Sequence, residues 1–428
     1  MGASTTTADK ILKEFYALGV QEQINQEAFA FETFAKATVE WQGKKAIVPV
    51  HTARNTGTGF RAEGAALPTA GSQGYKRYEI PATFMYGNFE FTGPAIESSS
   101  TDAGSYEQVM SSEMKRVSDD TRSILDKASF TGGEIIGLVW QQQSNTVWEY
   151  SGRPDSTVDT VFGVTVGAGG GNNYQARFIR LDTYASVGAD TLINSITDTT
   201  LTLNAAIDTT GTPDGTVFAV LYLRDNSNEN VNIGEMVGIL GNLCAPIIHG
   251  VDRTTATGTA QILQTNSLVA DFTAAAPVRT DLSLDALQIL LDKILLASNG
   301  QPDGMVLNPV HRQSYTTLLQ GSAGANVRVQ VGNGAQAKAD GGFKNIGYAD
   351  IPFKTAQHAP KGTVFMLNRS HWHLMELAPG DFAQADGKVL NKKAGYDIYE
   401  GFWRQYANLC CTRPNAQGIL TGLSYFGV

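Results

Sequence analysis

The sequence predicts an α+β protein with a β-rich module set into it, and three observations carry that reading. Residues 105–130 place apolar side chains at helical spacing. Residues 44–91 and 147–223 lose that spacing and read as extended chain broken by turns. From Ser283 onward, helical and strand patterns alternate.

Taking the elements in order, Thr7 is placed to cap a helix from Ala8 to about Ala35, with Ile11, Phe15, Leu18, Ile24, Phe29 and Phe34 as its apolar set. Such a helix, placed before any core, reads as a docking arm or part of a bundle. Next, Ala46–Val50 is a short strand, and Pro49 makes it an edge. Glu79–Phe91 is a second strand, rich in aromatics. Between them runs a Gly-rich loop of about twenty residues, a length that is uncommon inside a compact domain and usually functional. The segment reads as a long hairpin reaching away from a core. Lys44, Lys45, Arg54, Arg61, Lys76 and Arg77 against Glu63, Glu79 and Glu90 leave it at +3, so the rest of the chain carries −12.

Ser105-Tyr106-Glu107-Gln108 fits a capping box, and Thr131-Gly132-Gly133 supplies a stop. The helix between them is a rod of roughly 37 Å at about 1.5 Å rise per residue. One face is apolar, from Tyr106 to Ala128; the other carries Glu113, Asp119 and Asp120 among many charges. From Val147 to about Leu223, short β-type runs alternate with turn residues at the spacing of a small barrel or sandwich. Ser283–Asn299 is a helix ended by Gly300, apolar around most of its circumference and therefore expected to be buried. Strand Met305–Leu307 follows, then a helix with Asn308 as its cap and Pro309 at its first position. Residues 323–345 read as a Gly/Ala-rich loop, and strands are expected at Ile351–Thr355, Val364–Leu367, Tyr396–Tyr399, Leu409–Thr412 and Ile419–Leu423.

Composition narrows the function. Of 428 residues, 17% are charged, against roughly 25% in ordinary soluble domains. A surface so sparsely charged suggests that much of it faces other protein. A net charge of −9 argues against tight duplex binding, which needs clustered cations. Three cysteines make no disulfide framework and no C-x-x-C pair. The N-terminus lacks the apolar core of a secretory signal, and the apolar stretch near Met236–Ile248 falls short of a membrane span, so a soluble protein without membrane contact is expected.

Motifs for chemistry are weak. His371-Trp372-His373 could set two imidazoles on one strand face, but no third ligand has a compelling spacing. Gly57–Ala62 formally resembles a dinucleotide fingerprint in a loop that opens no helix. Gly167–Gly171 lacks the Lys-Ser/Thr of a P-loop, and Gly422–Phe426 lacks the last glycine of a nucleophile elbow. Asp225–Asn230 reads as a polar turn rather than a calcium loop. Nucleophile, base and orienting group nowhere declare themselves, so no enzyme, no cofactor and no metal is expected.

The order of these elements resembles that of the major capsid proteins of tailed double-stranded DNA bacteriophages, the Hong Kong 97-type fold. Ile248-His249-Gly250-Val251-Asp252-Arg253, LSLDALQILLDKI and PDGMVLNPVHRQSYTTLL resemble capsid sequences of this group. The resemblance implies an N-terminal arm over 1–43, an extended E-loop over 44–92 and a P-domain with its spine helix over 93–146. A phage-specific β-rich insertion over 147–230, an A-domain over 231–375 and closing strands over 376–428 complete it. About forty residues precede the hairpin, too few for an N-terminal scaffolding domain, which implies a separate scaffolding protein. Lys76 lies where some relatives cross-link a lysine to an asparagine, but no partner asparagine is identifiable and the bond is not expected. The implied function is a shell protein forming pentamers and hexamers of an icosahedral head around packaged double-stranded DNA, bound without sequence specificity. It would work with a scaffolding protein, a portal and decoration proteins, in a virion assembled in the bacterial cytoplasm. Between copies, Arg54, Arg61, Lys76 and Arg77 are expected to face acidic residues such as Glu107, Glu113, Asp119 and Asp120. An encapsulin-type compartment shell is the alternative.

Overall fold

The computed structural model describes residues 38–41, 43–98, 109–152, 174–181, 184–197, 199–209, 218–224, 235–253, 263–266, 281–321, 347–384 and 388–424. The expected arm helix, the Ser105 cap with Glu107, Gly167–Gly171, Asp225–Asn230 and the loop 323–345 lie outside these residues. The chain divides into two units, the larger taking 28–84, 124–379 and 406–428, the smaller taking 1–27, 85–123 and 380–405.

In the larger unit, the β-branched and apolar runs after Ser283 build five strands of a six-stranded mixed sheet, and Leu263–Asn266 adds the sixth. Its order is Leu263–Asn266, Gly418–Thr421, Thr363–Leu367, Gly304–Leu307, Ile351–Thr355, Gly347–Tyr348. The central strands Gly304–Leu307, Thr363–Leu367 and Gly418–Thr421 are buried at every position, as a sheet covered on both faces requires. Helix Leu284–Ser298 lays Leu287, Leu290 and Ile294 on this sheet, and its Ser283 side chain accepts a hydrogen bond from the Ala286 amide. Asn299, in the left-handed region at φ 52°, ends it rather than Gly300. The expectation of a wholly buried helix is corrected: Ile289 and Leu296 point outward, because a single sheet can cover only one face. The next helix, Pro309–Gly321, begins as expected at Asn308, whose side-chain oxygen accepts from the Val310 amide while its amide donates to Gln357 and Ala359 carbonyls.

Six strands close into a barrel: Phe218–Arg224, Ile135–Ser144, Val147–Gly152, Thr200–Leu203, Ser186–Ile196 and Tyr174–Arg180. Trp148, Phe178 and Phe218 fill it, with edge-on ring contacts at 5.0 and 6.1 Å from the indole. The barrel thus begins at Ile135, upstream of the 147 expected for the insertion. The reason is visible along Ile135–Ser144. Ile136 and Val139 point into the barrel, while Ile135, Leu138 and Trp140 point into the main core beside Phe365 and Trp372. Phe218 and Ala219 divide in the same way. A strand apolar on both faces has no alternation to betray it.

The long helix runs Val109–Thr131 and stops as expected, with the Gly132 amide on the Ala128 carbonyl at 2.8 Å and Gly133 at φ 89°. The expected strand Glu79–Phe91 is two strands, Gly74–Pro81 and Thr83–Thr92, because the chain changes pairing partner after Pro81, which has no amide hydrogen to extend the ladder. Tyr396–Tyr399 and Leu409–Thr412 prove to be the ends of one strand, Ile398–Cys411. In the smaller unit Phe89 packs against Phe91 and Phe382 at 5.5 and 5.8 Å. There Gly87 lets Val117 and Thr121 of the long helix come within 2.9 Å of where a Cβ would stand.

Candidate functional site

The hairpin is the feature that the larger unit displays. Lys45–Ala53 and Gly74–Pro81 form a two-stranded antiparallel ribbon, in which Pro49 faces Arg77 without interrupting a wider sheet. Alternation decides its faces. Ala46, Val48, Val50, Tyr78 and Ile80 turn onto Ile248, Val251, Met375 and Cys410, while Ile47 and Tyr75 stay exposed. Beyond the ribbon, Thr58–Leu67 are exposed without exception. The neck of this loop is pinched where Gly57 meets Gly71; a Cβ on Gly57 would stand 2.7 Å from the Gly71 nitrogen. At its far end Phe60 and Leu67 lie almost fully in solvent, each of a size that a chain normally buries.

The ribbon root is fixed by a buried polar knot. Asn242 donates from its amide to the Val237, Gly238 and Leu409 carbonyls, and its oxygen accepts from the Cys411 amide at 3.1 Å. His249 Nε2 lies 3.0 Å from the same oxygen, which, already an acceptor, assigns the proton to Nε2. His249 and Gly250 form a turn at φ 46° and 82°, and the His249 carbonyl accepts from the Glu79 amide of the ribbon at 2.9 Å. Arg253, buried, donates to the Leu243 carbonyl at 2.7 Å and to that of Asn242, and lies 5.4 Å over the Tyr184 ring. Burial, with Arg253 nearby, holds the His249 pKa down at about 4. Burial pushes the Tyr78 hydroxyl up to about 12, against the pull of Arg253. Cys244 and Cys411 are likewise raised to about 12 by burial, and Cys410 is raised for the same reason. Thiols so held are packing groups rather than nucleophiles.

Of the basic residues expected to make contacts, Arg77 pairs within the ribbon: its Nε stands 3.1 Å from Glu79, which Lys45 also holds at 2.8 Å. The Lys45 hydrogen bond and charge, with Arg77, lower the Glu79 pKa. Arg54, Arg61 and Lys76 have no ion pair among the described residues. On the long helix Glu113 and Asp120 are exposed and Asp119 is half-buried; none of them pairs with a described residue. Glu107 lies outside the described residues. The sequence named the outward charges but not the knot, although the stretch Ile248–Arg253, which supplies His249 and Arg253, stood out for its resemblance to capsid sequences.

Gly57–Ala62 opens no helix. His371 closes a short helical turn, Arg369–His371, and His373 lies on the following strand; burial lowers both pKa values. Among the described residues no three His, Cys, Asp or Glu side chains gather as a metal site requires, and no helix is long and apolar enough to cross a membrane.

Neither protein-family models nor curated protein sequences match this chain. Solved structures do. The capsid asymmetric unit of cyanophage A-1(L) superposes over 98% of this chain and 99% of its own, with a TM-score of 0.55 at 10% identity. The chain has a phage capsid fold. The capsid of the native GTA particle matches over 99% of both chains, at a TM-score of 0.51 and 10% identity, and that of the empty particle at 0.52. So low an identity means that the capsid fold is shared through its architecture, mixed α and β over the full length, and not through side chains that a motif could name.

Proposed function

We propose that this chain is the major capsid protein of a tailed double-stranded DNA phage, assembling through pentamers and hexamers into an icosahedral head. The observation that carries the reading is the full-length capsid fold together with a hairpin whose distal loop, Thr58–Leu67, is exposed among the described residues. In this reading 44–92 is the E-loop, 93–146 belongs to the P-domain and 231–375 is the A-domain, with 1–43 as the arm and 376–428 as closing strands. Phe60 and Leu67 bury against a neighbour. Arg54, Arg61, Lys76 and Arg77 meet acidic groups of other copies, such as Glu107, Glu113, Asp119 and Asp120. Each exposed pair contributes only about 0–1 kcal/mol, so the strength comes from repetition and apolar burial. The location is the virion, built in the host cytoplasm with a scaffolding protein, a portal and decoration proteins, and the packaged DNA is held without sequence readout. The role is structural rather than enzymatic.

Electron microscopy of the chain expressed with its linked scaffold gene tests this. Closed shells are expected; nothing larger than a small oligomer overturns it. Shells from infected cells that hold a protein cargo and no DNA would assign an encapsulin-type compartment instead.

A further inference from the structure

Where the ribbon leaves the body of the larger unit, a cleft of about 680 Å³ opens between its first strand and the end of helix Leu284–Ser298. Its charged side chains are Arg54 on the ribbon side and Arg413 on the body side, beside His51 and His371, with no Asp or Glu among the described lining residues. Arg413 is held in place by donating to the Ser298 carbonyl, and His51 by Gln73 at 2.6 Å. Neither arginine has a carboxylate partner among the described residues. Burial, with Arg413 nearby, lowers the His371 pKa, so on the body side the positive charge is that of Arg413. Beside them Leu296 is 88% exposed, an apolar surface that the helix leaves uncovered at the mouth of the cleft.

We propose that this cleft seats an acidic segment of a second copy of the chain, one that pairs a carboxylate with an apolar side chain. The inference deepens the shell reading and rests on it. The carboxylate answers Arg54 and Arg413, and the apolar neighbour covers Leu296. Charge complementarity favours a second copy, because the chain outside the hairpin carries −12 and so offers carboxylates in excess on every neighbour. Nucleic acid fits less well, since two arginines neutralise too few phosphates for useful affinity at moderate salt. The cleft differs from a simple basic arm because it needs both walls: a ligand must touch ribbon and body together.

A photoreactive benzophenone amino acid in place of Leu296, irradiated in assembled particles, tests the seat. A cross-linked dimer is expected, and mass spectrometry is expected to place the link on a peptide containing Asp or Glu. The double variant Arg54→Glu with His51→Glu should cut that cross-link about fivefold or more, as loss of charge-assisted contacts would, while Arg54→Lys keeps it. Particles whose links fall only within one chain, on nucleic acid, or nowhere overturn the seat and leave the shell standing. Cross-linking unchanged by the double variant overturns recognition by charge. A wild-type chain that never forms particles overturns both readings.

Discussion

At the scale of single residues, His249 shows how a charge that is never allowed to form can hold an element. Its neutral ring donates to Asn242, and burial, with Arg253 nearby, disfavours a positive charge on it. The folded pKa of about 4 lies below the usual 6.5, so as pH falls the unfolded chain takes up the proton first. Stability from this residue is complete above about pH 6.5 and is lost progressively down to about pH 4, at most about 3 kcal/mol. His249→Asn, which tolerates the left-handed turn, should melt less steeply with pH across that window than the wild type. Parallel melting curves for the two proteins would show that the ring is not the titrating group. Little of this was legible beforehand, because the knot joins Asn242, His249 and Arg253 to Tyr78 and Cys411, far away in sequence, and no spacing rule connects them.

At the scale of elements, legibility follows the local pattern. The Val109–Thr131 helix, the Asn308–Pro309 helix start and strand Ile351–Thr355 were readable because spacing, caps and turn residues agree. Strand Ile135–Ser144 was not, because its two faces serve two cores, and helix Leu284–Ser298 misled because its outward leucines mimic burial. The expected contact charges on the hairpin were legible as a count, and the structure adds that Arg77 is already engaged. The hairpin also yields a separable prediction. Phe60→Ser with Leu67→Ser should leave the melting temperature of the unassembled chain within a few degrees, since neither side chain touches a core. Shell yield, measured by gradient sedimentation, should fall steeply. Charge reversal at Arg61 and Lys76 should act in the same direction but more weakly at high salt, where screening already blunts such pairs. Shell yields at the wild-type level would remove the loop from the assembly contacts.

At the scale of the whole molecule, the sparse 17% of charged residues finds a place in the proposed shell, where surface faces neighbours as much as water. The barrel is the feature with the furthest reach. Its wall strands Ile135–Ser144 and Phe218–Arg224 lend Ile135, Leu138, Trp140 and Ala219 to the main core, so barrel and core are expected to unfold in one calorimetric transition. A fragment of residues 135–224 alone should expose Ile135, Leu138, Trp140 and Ala219 and fail to fold; two separate transitions would contradict this. In engineering terms the barrel is a party wall, not an annex. It cannot be clipped out to make a leaner shell, and whatever is grafted onto it must be hung from the side that the main core does not own.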